Sequence, residues 1–407
     1  MINNRSAAIA ATIPAGELAV HVLGHTTPGV GSAIYREVPD TGTLEPWQFR
    51  SNGNTRRWEL SEPVVNELMF GADPTGVADS FPAIQAAMNY CSALQKSFTS
   101  ASGNFSLSDM VRCLSSPGNY KRGSSWVFNN NSVYTCTAAT TRAAMFKFGN
   151  DDSNYSTSML WNSVIRGGVF NCNYKAQTGI WVAWCNKVLV SECEVRNMAN
   201  SAGGYCAGVK VGSNQGVISY EGFVQNCKIL GAFGPPLIPH LSEPRGIYFE
   251  NCTDNQTESN LIQGVRIGIE GDLISGWDGK HSNNHFWNWS ENAPMAEGFR
   301  LYGKNKFVGN QFDGVMRCFV LLAGNNNIIG CGLNNVTVST AIDNLTKFVW
   351  LFGASAGATA QGCHLIGDAT HRILAEIEVG GGALAANYRK DGSNYYAFVG
   401  TVAPVNL

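Results

Sequence analysis

Apolar and polar positions alternate along most of this chain in runs too short for helices, and Asn or Gly breaks each run. Six runs begin at Asn162, Asn186, Asn260, Asn284, Asn305 and Asn326; they read NSVIRGGVF, NKVLVSECEV, NLIQGVRI, NHFWNWSE, NKFVGNQF and NNIIGCGL. Two residues after each Asn stands Val164, Val188, Ile262, Phe286, Phe307 or Ile328. Seven after it stands Val169, Cys193, Ile267, Glu291, Phe312 or Leu333, apolar in all but Glu291. The spacing is 24 residues from Asn162 to Asn186 and from Asn260 to Asn284, then 21 to Asn305 and 21 to Asn326. Between Asn186 and Asn260, YEGFVQNCKIL and GIYFENC fill the place of two further coils. An apolar-rich strand precedes the Asn in GIWVAWCN, GFRLYGKN and CFVLLAGN. The unit is therefore strand, tight turn, strand and longer loop. Asn suits the turn because it tolerates the left-handed backbone that a sharp corner needs. One such unit cannot bury its apolar face alone, and stacking the next coil upon it does. Leucine-rich repeats have a similar period, but their leucine pattern is absent. The pattern predicts an all-β chain wound as a right-handed parallel β-helix.

One stretch departs from this pattern. FGADPTGVADSFPAIQAAMNYC, residues 70–91, runs from a turn cluster into an amphipathic helix over 80–95. Ser80 is placed to cap it, Pro82 fits its first turn, and Ile84, Met88, Cys91 and Leu94 form one apolar stripe. A solenoid leaves unpaired backbone at its ends, so this helix is expected to close the first coil.

Composition agrees with a turn-rich β architecture: 45 glycines and only 14% charged residues in 407. A net charge of −2 gives no basic face for nucleic acid, and no apolar run is long enough for a membrane span. The apolar segment Ala7–Ile13 imitates a signal peptide only faintly. Twelve cysteines show no C-x-x-C pair and read as small buried hydrophobes in a reduced protein.

Residues 67–95 resemble the start of the pectate-lyase-like domain of bacteriophage tailspikes and tail fibres. The segment Phe70, Gly71, Ala72 and then GVADSFPAIQAA is similar to that family's GVTDDTAAIQAA, with Ser80 in place of an Asp. VRCLSSPGNY, residues 111–120, is similar to the strand and PPGTY turn that follow there, and residues 16–60 to a small β module that precedes the coil in many phage spikes. The resemblance implies a homotrimeric virion spike, assembled in the host cytoplasm. It would contact host surface polysaccharide and meet other tail, neck or baseplate proteins through the N-terminal module. The expected division is a β module over 1–62, the β-helix with its capping helix over 63–372, and a terminal cap or trimer-contact segment over 373–407, where coil register breaks. A free polysaccharide lyase or hydrolase, and a purely structural spike, are the competing functions on the same fold.

Depolymerisation needs paired carboxylates or a base with charge neutralisation. In SECEV, alternation puts Glu192 and Glu194 on one strand face opposite Cys193; the pair is either catalytic or merely solvated. GWDGKHSNNHFWNWSEN, residues 276–292, is denser in chemistry. Asp278 and Glu291 are its candidate catalytic carboxylates, and Trp277, His281, His285, Trp287 and Trp289 its candidate glycan-binding residues. With Phe286 inward, His285, Trp287 and Trp289 face out, where indoles serve as a sugar-stacking platform or are buried between trimer subunits. The stretch reads otherwise as misregistered core. His281 and His285 lack the Glu of a zincin motif, and only NDDSN (150–154) and EGD (270–272) offer dense acidic loops. No cofactor and no metal site is expected, and no catalytic Arg or Lys set carries over from pectate lyases.

Overall fold

A computed structural model describes residues 1–113, 121–122, 125–149, 160–199, 206–213, 218–231, 245–272, 278–287, 295, 297–313, 315, 317–321, 326–334, 347–352, 359–361, 364–367, 372–377, 382–391 and 394–402, with backbone alone at 121–122, at 317 and beyond 332. From Val64 onward the chain winds as a right-handed parallel β-helix, Val64–Val65 and Thr75–Asp79 pairing in parallel with the strands of the next coil. Each coil contributes strands to two flanks of one 27-stranded sheet and one strand to a separate 10-stranded sheet. One coil runs from Gly279–Ser282 on the first flank to His285–Trp287 on the second, then to Glu297–Leu301 on the third face.

Inward side chains stack in register from coil to coil. On the first flank Trp126, Ile165, Val190, Val224, Thr257, His281, Phe307 and Ile328 form one row. On the second, Phe105, Tyr134, Phe170, Val195, Ile229, Ile262, Phe286 and Phe312 form another. All but Thr257 and His281 belong to one apolar core, which also contains Val188. Each fully buried large side chain contributes roughly 1.5–3 kcal/mol, so the rows dominate stability. The third face makes room for the second row with a column of glycines. A Cβ on Gly268 would sit 2.3 Å from Phe286, and one on Gly298 2.3 Å from Phe312.

Corners are equally regular. Asn162, Lys187, Glu221, Asp254 and Asp278 all have φ between 46° and 58° and stack at the entry to the first flank. Glu192, Asn226, Ser259 and Asn283 do the same between the two flanks, with φ between 53° and 57°. Just inside that second corner runs a buried ladder of Cys193, Cys227, Asn260, Asn284, Asn310 and Cys331. The Asn260 and Asn284 side-chain amides donate to the next Asn Oδ1 at 2.9 and 3.0 Å. The same oxygens accept the backbone N–H groups of Asn260 and Asn284, satisfying donors that have no other access to water. Cysteines end the ladder as compact apolar residues, and the eleven described cysteines are buried, with no disulfide among the described residues.

The six-Asn series therefore splits. Asn260 and Asn284 belong to the second corner, whereas Asn305 and Asn326 stack at the first, with Asn305 donating to Asn326 Oδ1 at 3.1 Å. Val164 lies opposite Leu189, not Val188, one residue away from the 24-residue spacing. The positions seven after each Asn do not form one column: Phe312 and Leu333 pair on the second flank, whereas Ile267 lies on the third face. Of the six only Asn162 has the left-handed backbone expected of the turn. Asn260, Asn284, Asn305 and Asn326 serve instead through side-chain amides that bond one another and, at Asn284 and Asn326, accept a backbone N–H from the preceding coil, so similar spacings merged two ladders into one.

The chain begins with a short helix, Arg5–Ala10, where the sequence imitates a signal peptide, followed by a four-stranded antiparallel sheet over Ala19–Leu60. The capping helix spans Phe81–Leu94 and buries Ile84, Met88 and Cys91, with Ala83, Ala86, Ala87 and Tyr90 beside them; Leu94 is exposed. Ser80 does not cap it, because its Oγ accepts the Asp73 N–H instead, and Asp79 accepts the Phe81 N–H. At the far end, Arg372–Ile377 still pairs with Lys347–Phe352 in the 10-stranded sheet, across a register shift between Val349 and Leu351. Coil stacking thus runs past Arg372. It ends where Gly382–Asp391 turns back into an antiparallel hairpin with Asn394–Val402.

Candidate functional site

On the second flank Phe286 points inward and stacks on Phe312, with ring centroids 4.9 Å apart and 7° between planes. Strand alternation therefore turns His285 and Trp287 outward. One coil on, Gln311 stands opposite His285 and Asp313 opposite Trp287. His285 Nε2 lies 2.7 Å from Asp313 Oδ2, a diagonal contact between neighbouring coils. Trp287 is 39% exposed, the only described tryptophan open to more than a third. An indole face beside an imidazole–carboxylate pair and the Gln311 amide suits a sugar. Apolar C–H faces stack on the ring while hydroxyls meet polar groups.

The other predicted site residues separate. Trp277, Trp289 and Glu291 lie outside the described residues. Asp278 is exposed, but its φ of 56° places it in the left-handed corner column, which accounts for its position. His281 is not on the surface. Only 1% exposed, it fills an inward place of the first flank, 5.4 Å from the Phe307 ring, with Nδ1 2.9 Å from Thr257 Oγ1. Burial holds its pKa down to about 3, so it is neutral. The loop SNN between the two histidines contains a corner, and this puts His281 and His285 on opposite sides of the wall.

Glu192 and Glu194 do not share a strand. Glu192 is the corner residue with φ 57° between Cys185–Ser191 and Glu194–Arg196, so alternation does not apply to it. Its carboxylate takes both Arg166 Nε and Nη2 at 2.9 Å, while Glu194 lies 3.5 Å from both Arg196 and Lys228. Both are engaged in cross-coil ion pairs. In EGD, Glu270 pairs with Arg245 and Arg300, and Asp272 accepts the Asn251 N–H, which commits both carboxylates to the protein; NDDSN lies outside the described residues. Among the described residues no cluster of His, Cys, Asp or Glu is arranged to hold a metal ion, and no helix is long and apolar enough to cross a membrane.

Sequence reasoning missed a second concentration of charge. Trp181, Lys210, Tyr248, Glu270 and Arg300 form one outward column of the 10-stranded sheet. Lys147 Nζ lies 4.2 Å and Lys210 Nζ 4.5 Å from the Trp181 ring centre, and Lys210 pairs with Glu250 at 2.7 Å. Arg300 reaches Glu297 at 2.6 Å, and Arg245 packs 5.1 Å from the Tyr248 ring. Lys147, Tyr248, Glu250 and Glu297 are buried, so this is a covered network rather than an open face. A repeated signal marks it in the sequence: GIWV, GVKV, GIYF, GIEG and GFRL each carry the column residue two places after Gly.

No family model matches the chain, and no curated protein is similar to it in sequence. Its fold is found in solved structures. ORF18 of Geobacillus virus E2 superposes with a TM-score of 0.53 at 13% identity, covering 96% of this chain and 73% of that one. The gp42 tailspike of Acinetobacter phage vb_AbaP_AS12 gives a TM-score of 0.53 at 12% identity, over 100% of this chain and 78% of that one. At such identities the likeness is one of fold.

Proposed function

We propose that this chain is a phage tail spike that attaches to polysaccharide on the bacterial surface. The observation that carries this reading is Trp287, an exposed indole on a flat β-helix flank with the His285–Asp313 pair beside it. Support comes also from the fold, which runs end to end along that of a phage tailspike. In this reading the N-terminal sheet docks on the virion and the chain works as a homotrimer. Trp277 and Trp289 are further candidate glycan-binding residues in this reading.

Incubating the purified protein with host capsular polysaccharide and lipopolysaccharide tests it. Retention of glycan is expected, and it is expected to weaken in Trp287→Ala. New reducing ends or 4,5-unsaturated uronic products would identify a depolymerase, and retention without cleavage an adhesin. Absence of both for every surface glycan of the host would refute attachment.

A further inference from the structure

On the outer side of the first flank, Gln256, Lys280, Lys306 and Asn327 stand directly above one another on four consecutive coils. Neighbouring strands of a sheet lie about 4.8 Å apart, so Lys280 and Lys306 are held as close as the fold allows. Both are exposed, and among the described residues neither makes an ion pair or side-chain hydrogen bond. Lys304, exposed at the adjoining corner, is likewise unpaired. Among the described residues the carboxylates nearby are Asp254 and Asp278 in that corner column and Glu258 in the neighbouring outward column, and none of them pairs with a lysine. Elsewhere on the coil the same fold pairs its outward charges: Arg166 with Glu192, Lys187 with Glu221, and Lys228 with Glu194.

Like charges placed opposite each other destabilise a sheet, and a chain of net charge −2 has carboxylates to spare for such positions. A local conflict of this kind marks a surface shaped by something other than folding. An anion lying along the column relieves the repulsion and gains charge-assisted hydrogen bonds from both ammonium groups. The flanking amides of Gln256 and Asn327 supply neutral donors and acceptors for the hydroxyls of the same molecule.

We propose that Lys280 and Lys306 form an anion-binding track, and that the polysaccharide bound by this chain is acidic, its negative groups seated along the coil axis. This inference rests on the surface-glycan reading above and specifies the class of glycan. Uronate carboxylates and backbone phosphodiesters share the required chemistry.

The test uses the full-length protein and a panel of purified capsular polysaccharides of known composition from the bacteria to which it binds: uronate-bearing, phosphodiester-bearing and neutral. Retention of an acidic member is expected, weakening as salt rises, and the arm retained tells carboxylate from phosphate. The double variant Lys280→Gln/Lys306→Gln is expected to lose about tenfold or more in affinity for it. Lys228→Gln, which alters a paired lysine, is expected to bind as the parent does. Because both track residues are exposed, circular dichroism of the double variant should match the parent and exclude misfolding as the cause. Retention of neutral glycans alone, or undiminished binding of acidic ones by the double variant, would overturn the track while leaving attachment standing. Failure to retain any glycan would overturn attachment itself, and the track with it.

Discussion

The phenol of Tyr90, on the buried side of the capping helix, donates a 2.8 Å hydrogen bond to the backbone carbonyl of Leu60, at the end of the antiparallel sheet. Its ring lies 5.5 Å from that of Trp47, in the turn that leads into the strand Gln48–Ser51 of that sheet, and 5.8 Å from that of Phe70. One side chain thus ties the N-terminal sheet to the cap of the coil. Tyr90→Phe keeps the ring contacts and removes the hydroxyl. Urea denaturation is expected to show a loss of about 1 kcal/mol, and an unchanged midpoint would mean that this tie carries no stability.

Glu67 is buried under the cap, where it accepts hydrogen bonds from Ser100 Oγ at 3.2 Å and Tyr134 Oη at 3.3 Å. Burial raises its pKa to about 7 against those hydrogen bonds. The folded chain then holds a proton that the unfolded chain releases above pH 4.5. Stability falls as pH rises from about 4.5 to 7 and levels off beyond, a loss of up to about 3 kcal/mol from this group. Glu67→Gln, which keeps the shape and stays neutral, should lack this decline when unfolding is followed from pH 5 to 8.

His281 acts on the acid side. Its pKa, held down to about 3 by burial, lies below the unfolded value of 6.5, so only the unfolded chain takes up the proton between them. Stability is lost as pH drops from about 6.5 towards 3. His281→Phe removes that loss, worth about 3 kcal/mol by pH 4, although it gives up the Thr257 contact at neutral pH. A variant whose stability falls with acid as steeply as the parent's would place the loss in other groups.

The glycine column sets how closely two walls approach. Gly268→Val puts new atoms against Phe286, at a point where even a Cβ would come within 2.3 Å of the ring. Overpacking of this kind costs about 1–3 kcal/mol. Shortening the opposing side chain in Gly268→Val/Phe286→Leu should return part of it, and a double-mutant cycle reads the coupling. Strict additivity would show that the two residues do not compete for the same volume.

The coil itself was legible because period-two alternation and stacking depend on residue type alone. The capping helix was legible from Ile84, Met88 and Cys91 at helical spacing. Residue assignments near corners were not. Glu192 and Glu194 look like neighbours on one strand until the left-handed backbone at Glu192 ends the alternation between them. His281 and His285 look like a pair until the corner at Asn283 and Asn284 carries one inside and the other outside. Asn at both corners hid that two ladders existed. The Gly-apolar-X-apolar repeat from GIWV to GFRL was present all along. Its function, room for the opposite wall and one outward column, becomes visible only when the strands are aligned in space. Trp287 was placed correctly because a single inward Phe286 fixed its direction.

Register from coil to coil also makes the molecule a ruler. Every turn of the chain touches only the turns before and after it, so lengthening or shortening the stack by one turn moves Trp287 away from or towards the N-terminal sheet by about 4.8 Å, with both ends unchanged. The spacing between the N-terminal sheet and the coils that carry His285, Trp287 and Asp313 can thus change in fixed increments while those coils stay as they are.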